Sequence, residues 1–261
     1  MKFAIPEEYP TDENLRKLEL FDFRIDVIIP APTIKKFEER KREIKQSNSK
    51  VDRVGYWPLF QDSTYWLSAW QEPKKLERKL EEFKEISQSK KPFYLVWDAE
   101  PPRNKRPVFA IVLPKPRYFK RNVKSIKEFI QEANYYNIEI ITAELPSIMG
   151  GEKILEEQAL AFNYGQPKVK MVYTSFGKFV PFVGVPIMRK ILKHEIKKFK
   201  DYPGEFAIGL GCTAKGAWGK EPIMSLDDFK EDLEICKEGK IKTVAVYRLG
   251  GLQYLRIRFS I

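Results

Sequence analysis

Pro92-Phe-Tyr-Leu-Val-Trp-Asp-Ala-Glu-Pro-Pro102 reads as a buried strand that ends in two carboxylates and stops at two prolines. From Phe93 to Trp97 every position is apolar or aromatic, where a strand with one wet face would alternate with polar residues. Such a strand is covered on both faces, as in a parallel sheet clad by helices. Strand side chains alternate in direction, so Asp98 and Glu100 share a face at its C-terminal end. Two neighbouring acids at the end of an apolar strand drive their proton affinities apart, which suits acid/base chemistry or a metal. The plainer alternative is that both reach solvent and pair with lysines.

Short β-rich runs of the same kind recur on either side. They are Lys2–Ile5, Phe23–Ile29, Arg53–Trp57, then Pro92–Asp98 itself, Ile138–Ala143, Lys168–Tyr173, Phe206–Leu210 and Thr243–Tyr247. Helical patterns lie between them at Thr11–Phe21, Ile34–Gln46, Pro73–Ser87, Val123–Tyr136, Glu152–Phe162, Pro186–Phe199 and Ser225–Lys237. Thr11 and Ser225 stand where N-caps belong, and proline opens the sixth helix, as a first helical turn allows. Eight β/α units in 261 residues predict an α/β (β/α)8 TIM barrel in one domain over residues 1–261. A doubly wound open sheet is the second reading, weakened by the lack of a glycine-rich nucleotide fingerprint after an early strand. The proline- and arginine-rich stretch at about 101–122 reads as an extended loop.

Composition narrows the chemistry. Apolar residues make up 43% of the chain, enough for a sizeable core, and no apolar run reaches the length of a membrane span. The start of the sequence lacks a signal-peptide pattern, so a cytoplasmic protein is expected. Cys212 and Cys236 are the only cysteines and His194 the only histidine, which excludes four-cysteine zinc sites and any plan needing two imidazoles. His194 falls on the basic outer face of a helix. The 32% of charged residues, mostly Lys and Glu, suggest a heat-adapted protein. The net charge of +11 permits an anionic partner, with Arg103, Lys105, Arg106, Lys115, Arg117, Lys120 and Arg121 as the densest basic cluster.

A TIM barrel carries its site at the C-terminal strand ends. That places Glu7, Glu8, Tyr56, Trp57, Asp98, Glu100, Glu144, Tyr173, Cys212, Tyr247 and Arg248 around one mouth. All five tryptophans, Trp57, Trp66, Trp70, Trp97 and Trp218, also fall at or just after strand ends, and flat rings there suit stacking on a sugar or a base. Asp98, Glu100 and Glu144 come from neighbouring strands and are expected to converge as catalytic acids. Cys212 lacks an activating histidine and reads poorly as a nucleophile. Gly250-Gly251 reads as a tight turn, with phosphate binding by its backbone as the alternative.

Phe93-Tyr-Leu-Val-Trp-Asp-Ala-Glu100 resembles the fourth strand of family 18 glycoside hydrolases, the chitinase-like barrels. Met171-Val-Tyr173 resembles their sixth strand and Gly55-Tyr-Trp57 their third. The resemblance implies Glu100 as general acid, with Asp98 and Tyr173 contacting an acetamido group. Phe93 and Val96 stand where the family has further aspartates, Thr174 where it often has an acid, and Tyr247-Arg248 where it has tryptophan.

Three readings follow. The first is a carbohydrate hydrolase without a cofactor, using Glu100, Asp98, Tyr173 and Glu144, with Trp57, Tyr56, Trp97, Trp218, Tyr247 and Arg248 binding substrate. The second is a metal-dependent lyase, isomerase or phosphoester enzyme holding a divalent cation such as magnesium on Asp98, Glu100 and Glu144. The third is a nucleic-acid or glycan binder without catalysis, using the basic loops and aromatics. Carboxylates at the mouth oppose nucleic acid, because they repel phosphate.

Overall fold

Among the described residues, parallel strands close into a barrel in chain order: β1 (Lys2–Pro6), β2 (Ile25–Pro30), β3 (Val51–Trp57), β4 (Phe93–Ala99), β5 (Ile138–Glu144), β6 (Lys168–Met171), β7 (Phe206–Gly211) and β8 (Thr243–Tyr247), with β8 pairing back onto β1. This is the (β/α)8 barrel expected from the sequence, and it replaces the open-sheet alternative. The structure is a computed structural model and describes residues 1–60, 65–86, 92–102, 114–179, 183–216 and 219–251. The helices are α1 (Asp12–Arg16), α2 (Ile34–Ser47), α3 (Pro73–Ile86), α4 (Phe119–Glu132), α5 (Glu152–Glu157), α6 (Gly184–Lys198) and α7 (Leu226–Glu238).

Local signals account for most helix ends. Thr11, Thr33 and Ser225 accept the backbone N–H three residues on, which gives an otherwise orphan donor at each start a partner. Several boundaries differ from the sequence reading, and two of them bear on the packing. Helix α4 begins at Phe119, inside the stretch expected to be loop, because Phe119 and Asn122 are buried on its inner face. The Asn122 amide donates to the carbonyls of Ala69 and Gln71, so a polar residue anchors that turn. Helix α5 ends at Glu157, before the expected Phe162. The rest of that span leads back to the sheet and presents the Phe162 N–H and carbonyl to groups on β5 and β6.

Strand residues divide between two layers. Outward residues such as Tyr56, Phe93, Leu95 and Trp97 pack against the helices in the main core. Phe37, Tyr56, Phe83 and Phe93 form an aromatic cluster there, with ring centroids 5.0–6.1 Å apart. Inward residues form a smaller cluster of Ala4, Ile28, Trp57, Trp66, Tyr94, Val96 and Ala245. Gly55 faces the Tyr94 ring so closely that a Cβ there would lie 2.9 Å from it, so glycine makes room for the ring. The inner layer is floored by charge: Asp26 takes Lys2 at 3.1 Å and Arg53 at 2.7 Å, and the Arg53 guanidinium lies over Tyr94. Small inward residues (Ala4, Ala143, Ala207, Gly209, Ala245) leave a cavity of about 840 Å³ along the barrel, running from Asp26 and Arg53 up to Glu8, Asp98 and Glu100.

Candidate active site

The upper end of that cavity is built from strand ends. Asp98 and Glu100 rise from β4, Trp57 from β3, Tyr247 from β8 and Tyr173 from just beyond β6. The alternation that puts Asp98 inward carries Glu100 to the same side. Glu8, Trp66, Cys212 and Glu221 complete the lining.

Glu8 is the hub. It follows Ala4 and Pro6 on the inward face of β1, and both its oxygens accept a phenol: Tyr65 donates to one and Tyr247 to the other. The Tyr247 ring stacks on Tyr173 with centroids 5.6 Å apart and meets Trp57 edge-on at 6.5 Å. Gly216 allows the Tyr247 hydroxyl its place, since a Cβ there would fall 2.0 Å from that oxygen. Behind the cleft, Ser175 donates to the Gly211 carbonyl and accepts the Cys212 N–H, tying the end of β6 to that of β7.

The acids raise one another's proton affinity. Burial pushes Glu100 up to about 8, with the Glu8 carboxylate adding to the effect. Burial also raises Asp98 well above the ordinary carboxylate range, reinforced by Glu100 and Glu8, while the Trp57 and Trp66 indoles pull it partly back. Glu8 is raised by burial, against the opposing pull of its two tyrosines and of Arg248. Asp98 is 7% exposed.

Four residues expected to catalyse or bind substrate lie elsewhere. Glu144 sits on the outer face of β5, since Ala143 takes the inward position. There it is fully buried, accepts from Thr142 and the Phe162 N–H, and pairs with Lys168 at 3.2 Å and Lys170 at 3.0 Å. Tyr56 points into the helix layer and donates to the Ala31 carbonyl. Trp97 is wholly buried against Phe129 of α4. Arg248 turns away from Tyr247 and grips Glu7 through two nitrogens, at 2.7 and 3.0 Å. Glu7 also accepts the Gly250 N–H, and a Cβ on Gly251 would overlap the Thr213 carbonyl, so the glycine pair serves a packed turn. Trp218, and Arg103, Lys105 and Arg106 of the basic stretch, lie outside the described residues. His194 is exposed on α6, as expected.

Glu8 and Trp66, expected at the mouth without an assigned role, belong to the lining, and so does Glu221, which was not expected there. The alternation Ala4, Pro6, Glu8 carried the signal for the first. Glu221 sits in an irregular segment after β7, where no periodicity points to it.

No family model and no curated protein sequence matches the chain. Solved structures do match in shape. The PgaB (BpsB) glycoside hydrolase domain from Bordetella bronchiseptica aligns at a TM-score of 0.55 and 7% identity, over 97% of this chain and 95% of that one. The catalytic domain of a hyperthermophilic chitinase from Pyrococcus furiosus aligns at 0.55 and 12%, over 95% and 83%. A D-allulose 3-epimerase from Methylomonas aligns at 0.53 and 10%, over 95% and 84%. The likeness is one of fold. At such identities it does not carry an activity from those proteins to this one. Among the described residues no helix is long and apolar enough to cross a membrane.

Proposed function

We propose that the chain is a glycoside hydrolase whose general acid is Glu100. The observation that carries this reading is a carboxyl at the C-terminal mouth of the barrel that keeps its proton to about pH 8, beside two further acids in an aromatic-walled cleft. Glycoside cleavage needs a proton delivered to the leaving oxygen and negative charge near the sugar carbon that turns positive. Glu100 supplies the proton. Glu8, held in place by Tyr65 and Tyr247, supplies the charge, and Asp98 lines the cleft beside the acid. Trp57, Trp66 and Tyr247 offer ring faces and edges to a sugar.

The β4 motif supports family 18-like chemistry, with Tyr173 beside Asp98 and Glu100 in the same lining. The chitinase and PgaB domains share the fold and point in the same direction. The epimerase shares it too and keeps a sugar isomerase as the second reading. A magnesium-type site on Asp98, Glu100 and Glu144 does not fit these residues, because Glu144 faces the helix layer and is already saturated by two lysines. We propose a carbohydrate, not a nucleic acid, as partner of the cleft.

Glu100→Gln keeps the shape of the protonated carboxyl but cannot donate its proton. Turnover of an aryl or oligosaccharide glycoside should fall at least about a hundredfold, the usual weight of a general acid, with melting at pH 5 unchanged. Undiminished turnover would refute the assignment.

A further inference from the structure

A (β/α)8 barrel ordinarily fills its axis with layers of branched side chains, which makes the interior a packed core. Here the axis stays open. Inward positions on β1, β5, β7 and β8 carry Ala4, Ala143, Ala207, Gly209 and Ala245, where Val, Ile or Leu would close it. The cavity of about 840 Å³ follows that axis. Burial along the strands is inverted in the same sense. On β5 the outward Ile140, Thr142 and Glu144 are buried, whereas the inward Ile141 and Ala143 are only half-buried. On β6 the inward Val169 is half-buried between two buried lysines that point outward.

The open axis is apolar between two charged ends. Lys2, Asp26 and Arg53, the last lying over the Tyr94 ring, stand at the N-terminal end. Glu8, Asp98 and Glu100 stand at the mouth. Between them the inward residues are Ile28, Val96, Ile141, Val169 and Met171 with the small residues, and none is charged. The backbone polar groups of these strands are engaged in the closed ladder of the barrel. Water in that stretch therefore lacks the two to four polar partners that hold it, and an apolar guest suits the space better. The volume falls within the roughly 300–1,000 Å³ of sites that enclose whole small ligands. From Tyr94 to Asp98 the wall advances about 13 Å along β4. A hydrocarbon chain matches a passage of that length and lining, and a second sugar, with its hydroxyls, does not.

We propose that the substrate is a glycoside of a long-chain, uncharged alcohol, its sugar held among Trp57, Trp66, Tyr173 and Tyr247 at the mouth and its alkyl chain lying along the barrel axis. The proposal rests on the hydrolase reading above and names its substrate class. Glu100 has to reach the oxygen between the sugar and the leaving group. It stands with Asp98 where the aromatic mouth meets the apolar axis, so what lies below the acids is the leaving group. Cleavage adds water across that bond. The sugar carbon takes the hydroxyl of the water, the glycosidic oxygen departs as the alcohol with the proton of Glu100, and Glu100 regains a proton from the same water.

The test uses the Glu100→Gln protein, which cannot consume the ligand. Butyl and octyl β-glucosides and β-N-acetylglucosaminides are titrated calorimetrically at pH 5, below the concentration at which the octyl compounds form micelles. Each methylene moved out of water is worth up to about fourfold in affinity, so the octyl glycoside should bind at least about tenfold more tightly than its butyl counterpart. Adding Ala245→Leu, or Ala143→Leu should the first fail to fold, puts a branched side chain on the axis and should bring the two within about threefold of each other. Equal binding of butyl and octyl glycosides, an octyl preference that survives the leucine, or failure of every alkyl glycoside to bind overturns the axial site. Cleavage of an aryl or oligosaccharide glycoside by the wild type would then leave the hydrolase reading standing. An octyl preference that the leucine removes, with no glycoside cleaved by the wild type, overturns the hydrolase reading and with it the substrate, and leaves a chain-binding site alone.

Discussion

Glu100→Gln should change how stability depends on pH, and the size of the change follows from the site. In the folded chain Glu100 keeps its proton up to about pH 8, whereas an ordinary glutamate releases it near 4.5. Below about 4.5 both states are protonated and the group contributes nothing to the balance. Between those values the native state binds more protons than the unfolded one, so stability falls as pH rises. Above about 8 both states are ionised and the whole penalty remains. At about 1.4 kcal/mol for each tenfold change in proton affinity, that penalty is on the order of 4–5 kcal/mol. Glutamine is uncharged throughout and escapes it, and Asp98 is relieved as well because its neighbour's charge has gone. For a domain of this size each kcal/mol moves the melting point by roughly 2–4 °C. The variant should therefore melt with the wild type at pH 5 and on the order of 10 °C above it at pH 9. Thermal melts followed by circular dichroism across that range decide the matter. Parallel melting curves for the two proteins would mean that Glu100 ionises normally, and would remove the basis for naming it the acid.

Three further outcomes follow from residues whose positions differ in kind. Glu144→Gln leaves Lys168 and Lys170 without their shared partner and should cost about 3–5 kcal/mol in urea unfolding, while turnover per folded molecule stays unchanged; lost turnover in a normally stable variant would return Glu144 to the site. Trp57→Ala should weaken oligosaccharide binding, whereas Trp97→Ala should leave binding alone and cost about 3–5 kcal/mol of stability; equal effects from both would contradict the two-layer assignment. Gly55→Ala drives a methyl group into the Tyr94 ring and should destabilise by about 1–3 kcal/mol, which a melting point equal to wild type would refute.

The barrel was legible because its strands announce themselves. Runs such as Phe93–Trp97 and Val244–Tyr247 are apolar or aromatic throughout, and the observed strands begin and end within two residues of the expected ones, the second and third starting furthest off. The site was legible where the alternation of side chains was followed. It joined Asp98 to Glu100, and followed further it would also have excluded Trp97, which lies between two inward residues. Tyr56 and Trp57 are adjacent and cannot both face the cleft, and the same holds for Tyr247 and Arg248. Choosing between neighbours needs the register of the whole barrel, which no single strand supplies. Glu144 was misplaced for a related reason. An acid at a strand end looks functional until the lysines at the first and third positions of the next expected run, Lys168 and Lys170, are seen to point at it. Glu221 has no periodic setting at all, and only the folded loop brings it to the cleft.

The pairing of β1 with β8 has a consequence for how the chain comes to work. Glu8 and Tyr247, which hold each other at the heart of the cleft, stand 239 positions apart, and Glu7 and Arg248 lock the same seam at a separation of 241. The acid cluster is therefore assembled from opposite ends of the described chain. During synthesis Glu8 is made 239 positions before the tyrosine that holds it. No fragment that omits the last strand contains an intact cleft, however well its remaining units fold. Catalytic competence would then report on closure of the ring itself, and recovery of activity during refolding should trail the recovery of helix.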